Sequence, residues 1–147
     1  MAMTTAILLS ALLLAVCTAT HYGALRGVAG LIGPDCTPGR ALAYAVTGIA
    51  LAHVLEAGLY AGGFWFAVHG PGIGDLAPSA QGAPEPDWMG YFYFSLVNFT
   101  TLGRGDLIPQ EHLRFMTAME AFHGFLLITA SGSFVLQVMA GKNPFSS

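Results

Sequence analysis

The chain has 147 residues, of which 54% are hydrophobic and only 9% charged, with a formal net charge of −3. Soluble domains carry about 25% charged residues, so this composition excludes an ordinary soluble enzyme and places the chain in a lipid bilayer. The small net charge and the absence of any basic run exclude a nucleic-acid partner.

Three apolar segments reach the roughly 20 residues that cross a bilayer. The first runs from Thr4 to Ala24. Its core, Ala6 to Val16, resembles the apolar region of a signal peptide, but Met1 to Thr5 carries no cation and the apolar stretch continues past Cys17 toward Leu25. A retained membrane helix is therefore expected. Cys17 lies in that apolar run and Cys36 in a polar loop, so the two are expected to be unpaired. The second span, Arg40 to Val68, is longer than a crossing requires and is expected to tilt. The stretch from His69 to Asp87 is rich in Gly, Pro, Ala and Ser and has no periodicity, which reads as a loop. Trp88 to Thr100, about 13 residues, is too short to cross and fits a re-entrant helix with Asp87 as its N-cap. Pro109-Gln110-Glu111 is expected to open the third span, Glu111 to Ala140, and Gly141-Lys142-Asn143-Pro144 to close it. Arg26, Arg40 and Lys142 fall on one side of this three-span arrangement. The positive-inside rule then makes the C-terminus cytoplasmic and puts the N-terminus and the 69–87 loop outside the cell's inner membrane.

Between the short helix and the third span stands Thr100-Thr101-Leu102-Gly103-Arg104-Gly105-Asp106. Glycine at 103 and 105 permits backbone angles other residues resist. Alternating backbone handedness would turn the carbonyls of Thr101, Leu102, Gly103 and Arg104 toward one axis, with the Thr101 hydroxyl as an innermost ligand. The negative end of the short helix would face the same axis. The run from Tyr91 to Asp106, together with Pro109, Arg114 and Gly124, resembles the pore helix and selectivity filter of tetrameric potassium channels. More narrowly, the chain is similar to small bacterial members that place one additional helix before the two-helix pore unit.

The resemblance implies an all-α membrane protein that assembles as a homotetramer within the bilayer. Residues 1–39 would be the added helix and a cytoplasmic loop. Residues 40–147 would be the pore domain: outer helix 40–68, turret 69–87, pore helix 88–100, filter 101–106 and inner helix 111–140. The implied function is passive conduction of K+ between carbonyls of Thr101, Leu102 and Gly103, with no catalysis, no cofactor and no metal other than the permeant ion. One landmark departs from the family, because Arg104 stands where it has tyrosine. Arg104 is expected to pair behind the filter with Glu120 or Asp106, with Asp87 and Asn98 as further supports. The alternatives are an arginine at the pore mouth, which would repel cations, and a collapsed filter, making a non-conducting or weakly selective homologue.

Ionisable groups inside the spans are costly and point to function. His53 and Glu56 share one helix face, as do Glu120 and His123. At 1.5 Å per residue, Glu56 and His123 lie at similar depth, roughly 20 and 18 Å below the outer ends of their helices. A hydrogen bond between them is expected, with a pH-sensitive gate as a consequence. The competing reading is a metalloprotein site from His53, Glu56, Glu120 and His123. The depths of His53 and Glu120 differ by about 10 Å, which opposes it. His21 reads as an interfacial or packed histidine. Gly124 fits either a hinge or a close helix contact, and Ile128, Gly132 and Leu136, spaced by four, are expected to line the pore below the filter.

Overall fold

The computed structural model describes residues 1–33, 35–81, 84–103, 105–142 and 145. Arg104 lies outside the described residues. The elements are α1 (Ala2–Leu31), α2 (Pro38–His69), β1 (Leu76–Pro78), α3 (Trp88–Phe99), β2 (Leu107–Pro109) and α4 (Leu113–Met139). The fold is all-helical apart from the two three-residue strands. Helices α1, α2 and α4, of 30, 32 and 27 residues, are each long and apolar enough to span a membrane. Helix α3 has 12 residues, about 18 Å of rise against an apolar bilayer core of about 30 Å. It begins where the Asp87 carboxylate accepts the Gly90 N–H at 2.9 Å, which satisfies one of the free donors of the first turn.

Helix α1 continues to Leu31, past the end expected at Ala24. Gly23, Gly27 and Gly30 therefore sit inside a helix, where each costs about 1 kcal/mol relative to alanine. Tertiary burial offsets that cost: Leu25, Val28 and Ala29 pack with Ala41 and Ala45 of α2 and Phe134 and Val138 of α4. This cluster gathers the C-terminal end of α1, the start of α2 and the end of α4, and with them Arg26, Arg40 and Lys142.

The contact between α1 and α2 uses missing side chains. A Cβ on Gly63 would fall 2.5 Å from Leu13 Cδ1, and one on Gly48 would collide with Val28 Cγ2. Glycine lets the two backbones approach, as in other membrane helix pairs. Gly63→Leu is expected to destabilise the protein by about 1–3 kcal/mol through overpacking. Gly27→Ala meets nothing within 4 Å and is expected to stabilise by about 1 kcal/mol. Thermal melting in detergent checks both; equal effects would mean that α1 does not press on α2 there.

The 69–87 loop is not featureless. β1 pairs antiparallel with β2 in the register Leu76↔Pro109, Ala77↔Ile108, Pro78↔Leu107. Gln110 N–H to Asp75 O at 2.8 Å, His112 N–H to Ile73 O at 3.3 Å and Ser79 N–H to Asp106 O at 3.0 Å extend the clamp. Ile73 and Leu76 are buried beneath it. Gly74 has φ +155°, and a Cβ there would lie 2.6 Å from Gln110 O. Pro109 therefore belongs to a strand and does not open a helix. Glu111 has φ +48°, outside helical backbone, so α4 begins at Leu113 and not at Glu111.

The larger core cluster sits between all four helices, with Ala6, Leu13 and Cys17 contributed by α1. Tyr60, Phe64, Phe99, Leu113 and Met116 are among its most deeply buried members, and Phe64 meets Phe94 edge-on with centroids 5.3 Å apart.

Candidate functional site

The loop after α3 folds back on that helix. Thr101 N–H donates to Asn98 O at 2.9 Å, and Leu102 and Gly103 N–H both donate to Val97 O at 2.9 and 3.1 Å. Among the described residues no peptide bond is cis, and in a trans peptide the carbonyl points opposite the N–H. The carbonyls of Thr100, Thr101 and Leu102 are therefore turned away from α3. The backbone alternates to do this: φ is +61° at Thr101 and +61° at Gly103, and Leu102 between them is not positive. A β-branched residue at positive φ is a strained exception, which persists only where its surroundings enforce it. Leu102 is 70% exposed on the single chain, although it is apolar. The free end of α3, with its negative dipole pole, stands at the start of this loop.

Two contacts hold the base of the loop to α4. At Gly124, a Cβ would collide with the carbonyl oxygen of Phe99 and lie 2.9 Å from its carbon. The backbone of α3 thus rests directly on α4, so close packing accounts for this glycine. The second contact is polar. Asn98 Nδ2 donates to Glu120 Oε2 at 2.6 Å and to Thr117 O at 2.9 Å. Ser95 Oγ lies 2.5 Å from Glu120 Oε1 and 2.6 Å from Ala57 O. One hydroxyl proton cannot serve two acceptors. The set closes when Glu120 is a protonated acid that donates to Ser95, while Ser95 donates to Ala57 O. The Asn98 amide nitrogen thus donates to α4, while the bond its oxygen is expected to accept from Arg104 falls on a residue outside those described. Asp87 stands at the other end of α3, where the neighbouring Gly90 lies against Leu107 of β2. Gly105 and Asp106 are exposed. A recess of about 280 Å³ lies behind the loop, bordered by Gly103, Gly105, Phe94, Asn98, Pro109 and Thr117.

The deeper polar groups are partnered differently from the sequence expectation. Glu56 Oε1 lies 2.9 Å from His21 Nδ1 and Oε2 lies 2.9 Å from His53 Nδ1. His123 Nδ1 meets the Tyr60 hydroxyl at 3.0 Å, and its Nε2 meets the Thr18 hydroxyl at 3.1 Å. The expected Glu56–His123 hydrogen bond is thus replaced, because α1 supplies His21 and Thr18 to the gap between α2 and α4. His21 is buried and is a member of the cluster, not an interfacial residue. It lies on the buried stripe Ala6, Ser10, Leu13, Cys17, His21, Leu25, Val28, which has the three-and-four spacing of a packed helix face. The sequence did not mark that face, because Ile7, Leu8, Leu12 and Val16 on the exposed sides are as apolar. The four-residue metal grouping does not assemble, since Glu120 faces Ser95 and Asn98. Among the described residues, His21, His53 and Glu56 do offer three ligand atoms within 4.8 Å of one another.

Along α4 the buried face is Met116, Glu120, His123, Leu127, Ser131, Phe134 and Val138. Ile128, Gly132 and Leu136 are exposed on the single chain, Leu136 at 68%.

The family model described as ion channel matches residues 42–140, about two thirds of the chain. No curated protein and no solved structure matches. Most of α2, all of α3, the loop and all of α4 fall within the matched stretch, and α1 lies before it. The matched stretch therefore holds two spanning helices, a short helix that cannot cross and the loop that turns successive carbonyls away from it, and the chain belongs to the ion-channel family.

Proposed function

We propose that four copies of the chain surround a common axis and conduct monovalent cations passively, with K+ as the ion, through a filter built from residues 101–106. The observation that carries this reading is the turning of three successive carbonyls away from α3. Facing an axis, such carbonyls replace the water lost by an entering cation, and the C-terminal ends of four α3 helices add favourable potential. An apolar Leu102 at 70% exposure is explained by contact with the other copies. Ile128, Gly132 and Leu136 line the path below the filter. The Ser95–Glu120–Asn98 set and the Asp87 cap support the filter from behind. Arg104 in the family's tyrosine position alters selectivity or conductance. The cluster of chain ends bearing Arg26, Arg40 and Lys142 is the cytoplasmic side, which puts the filter outside and the C-terminus inside.

The test is cation flux from liposomes reconstituted with the purified protein. A K+ flux in wild type, with severalfold greater K+ over Na+ discrimination in Arg104→Tyr, is the expected outcome. A homogeneous tetramer that passes no cation, whose flux Arg104→Tyr restores, would assign the native chain as a non-conducting homologue.

A further inference from the structure

A second polar cluster joins three helices. Both oxygens of buried Glu56 on α2 are engaged, one by His21 of α1 and one by His53 of α2, each through Nδ1 at 2.9 Å. The two imidazoles stack, with centroids 5.3 Å apart and planes 20° from parallel. Their other nitrogens converge on one atom, the hydroxyl oxygen of Ser131 on α4, at 3.3 Å from His21 Nε2 and 3.2 Å from His53 Nε2.

Hydrogen counting constrains what this cluster holds. A neutral imidazole has one N–H. With both Nδ1 atoms donating to Glu56, both Nε2 atoms are bare acceptors, and the single Ser131 proton serves only one of them. The other contact then opposes two lone pairs in a buried place, which is costly. A cation on the Nδ1 side removes the conflict. Each ring then binds through Nδ1 and keeps its proton on Nε2, and both N–H groups donate to the two lone pairs of Ser131 Oγ. The Ser131 proton would then turn to a carbonyl one turn back on α4, as the hydroxyls of Thr129 and Ser133 do. A metal-bound imidazole whose other N–H meets a neighbouring acceptor has this arrangement.

We propose that His21, His53 and Glu56 bind one divalent transition cation of the zinc class, oriented by Ser131, and that this ion fastens α1 to the channel unit. Imidazole ligands suit such ions, whereas Mg2+ and Ca2+ take oxygen. Three protein ligands leave one position for water, and zinc-bound water loses its proton near neutrality. The dication, the carboxylate and the resulting hydroxide then sum to zero charge, as a buried site requires. The ligand atoms lie within 4.8 Å of one another, and small side-chain shifts bring them to the about 3.4 Å spacing of tetrahedral bonds of about 2.1 Å. Neighbouring groups do not compete: Cys17 Sγ faces the Glu56 carbonyl, and His123 is held by Tyr60 and Thr18. His21 precedes the family-matched residues 42–140, so the ion joins what this chain adds to what its family shares. This site does not depend on conduction.

Chelator-stripped protein in detergent, titrated with Co2+ alone, tests it. One cobalt per chain with the visible absorption of four-coordinate cobalt, displaced by Zn2+, is expected. Zn2+ should raise the melting temperature of wild type and leave His21→Ala and His53→Ala unmoved. Ser131→Ala should keep the site with affinity about 10–100-fold weaker. Stripped, helical, monodisperse wild type that takes up no cobalt and is not stabilised by zinc would overturn the proposal; nitrogen NMR showing an imidazolium there would then assign a proton to the cluster. Undiminished uptake in His21→Ala and His53→Ala would also overturn it, by placing the binding elsewhere, such as at exposed His69.

Discussion

Gly124→Leu is expected to abolish cation flux without preventing membrane insertion. A side chain at 124 points into the Phe99 carbonyl, and Phe99 is the last residue of α3, directly before the loop that turns its carbonyls outward. A flexible side chain would move aside by changing rotamer, but the obstacle is backbone, so α3 itself must shift. Overpacking a core costs about 1–3 kcal/mol, and here the displacement passes straight to Thr100 and Thr101. Gly124→Ala should show a graded version, with flux reduced and the assembly melting at lower temperature. Gly132→Ala is the control, since nothing lies within 4 Å of a Cβ there, and like Gly27→Ala it should melt no lower than wild type. Liposome flux and thermal melting read all three variants. Wild-type flux and stability in Gly124→Ala would mean that the Phe99 contact does not hold the loop.

The second large effect is at Glu120. Glu120→Ala removes the acceptor of Asn98 and the partner of Ser95 and leaves a cavity between α3 and α4, with an expected loss of about 3 kcal/mol or more. Glu120→Gln should be nearly neutral. Its amide N–H donates to Ser95 and its oxygen accepts from Asn98, reproducing the pattern of a protonated acid. Melting of the two variants in detergent separates the possibilities. If Gln destabilised as much as Ala, a charged Glu120 would be required, as in the pairing with Arg104 expected from sequence. A neutral Gln variant would direct the search for the Arg104 partner to Asp106.

The three spans and the short helix were readable from sequence because each rests on a local quantity. Hydropathy summed over about 20 residues identifies a crossing, and Asp87 caps α3 through a residue three positions away. The glycine and threonine pattern at 101–105 was equally local, and the backbone alternates over its described residues 101–103. By contrast, β1 was hidden. Only Ile73 and Leu76 of its stretch are buried, too few to make a period, and its partner strand lies beyond α3. The start of α4 was misplaced for the same reason: pairing with β1 draws Pro109 into a strand and bends the chain at Glu111.

The intramembrane polar groups mark the limit most clearly. Residue counting sets height along a helix, at 1.5 Å per residue, and on that count Glu120 and His53 stand at different depths. Height does not say which neighbour a side chain faces. Glu56 and His123 share a depth, yet α1 comes between their expected partners, giving His21 to one and Thr18 to the other. Sequence by itself determined which segments enter the membrane and which loop bears the carbonyls, since hydropathy and glycine act where they stand. Only tertiary structure decided the rotation of each helix about its axis, because that is set by packing between residues far apart in the chain.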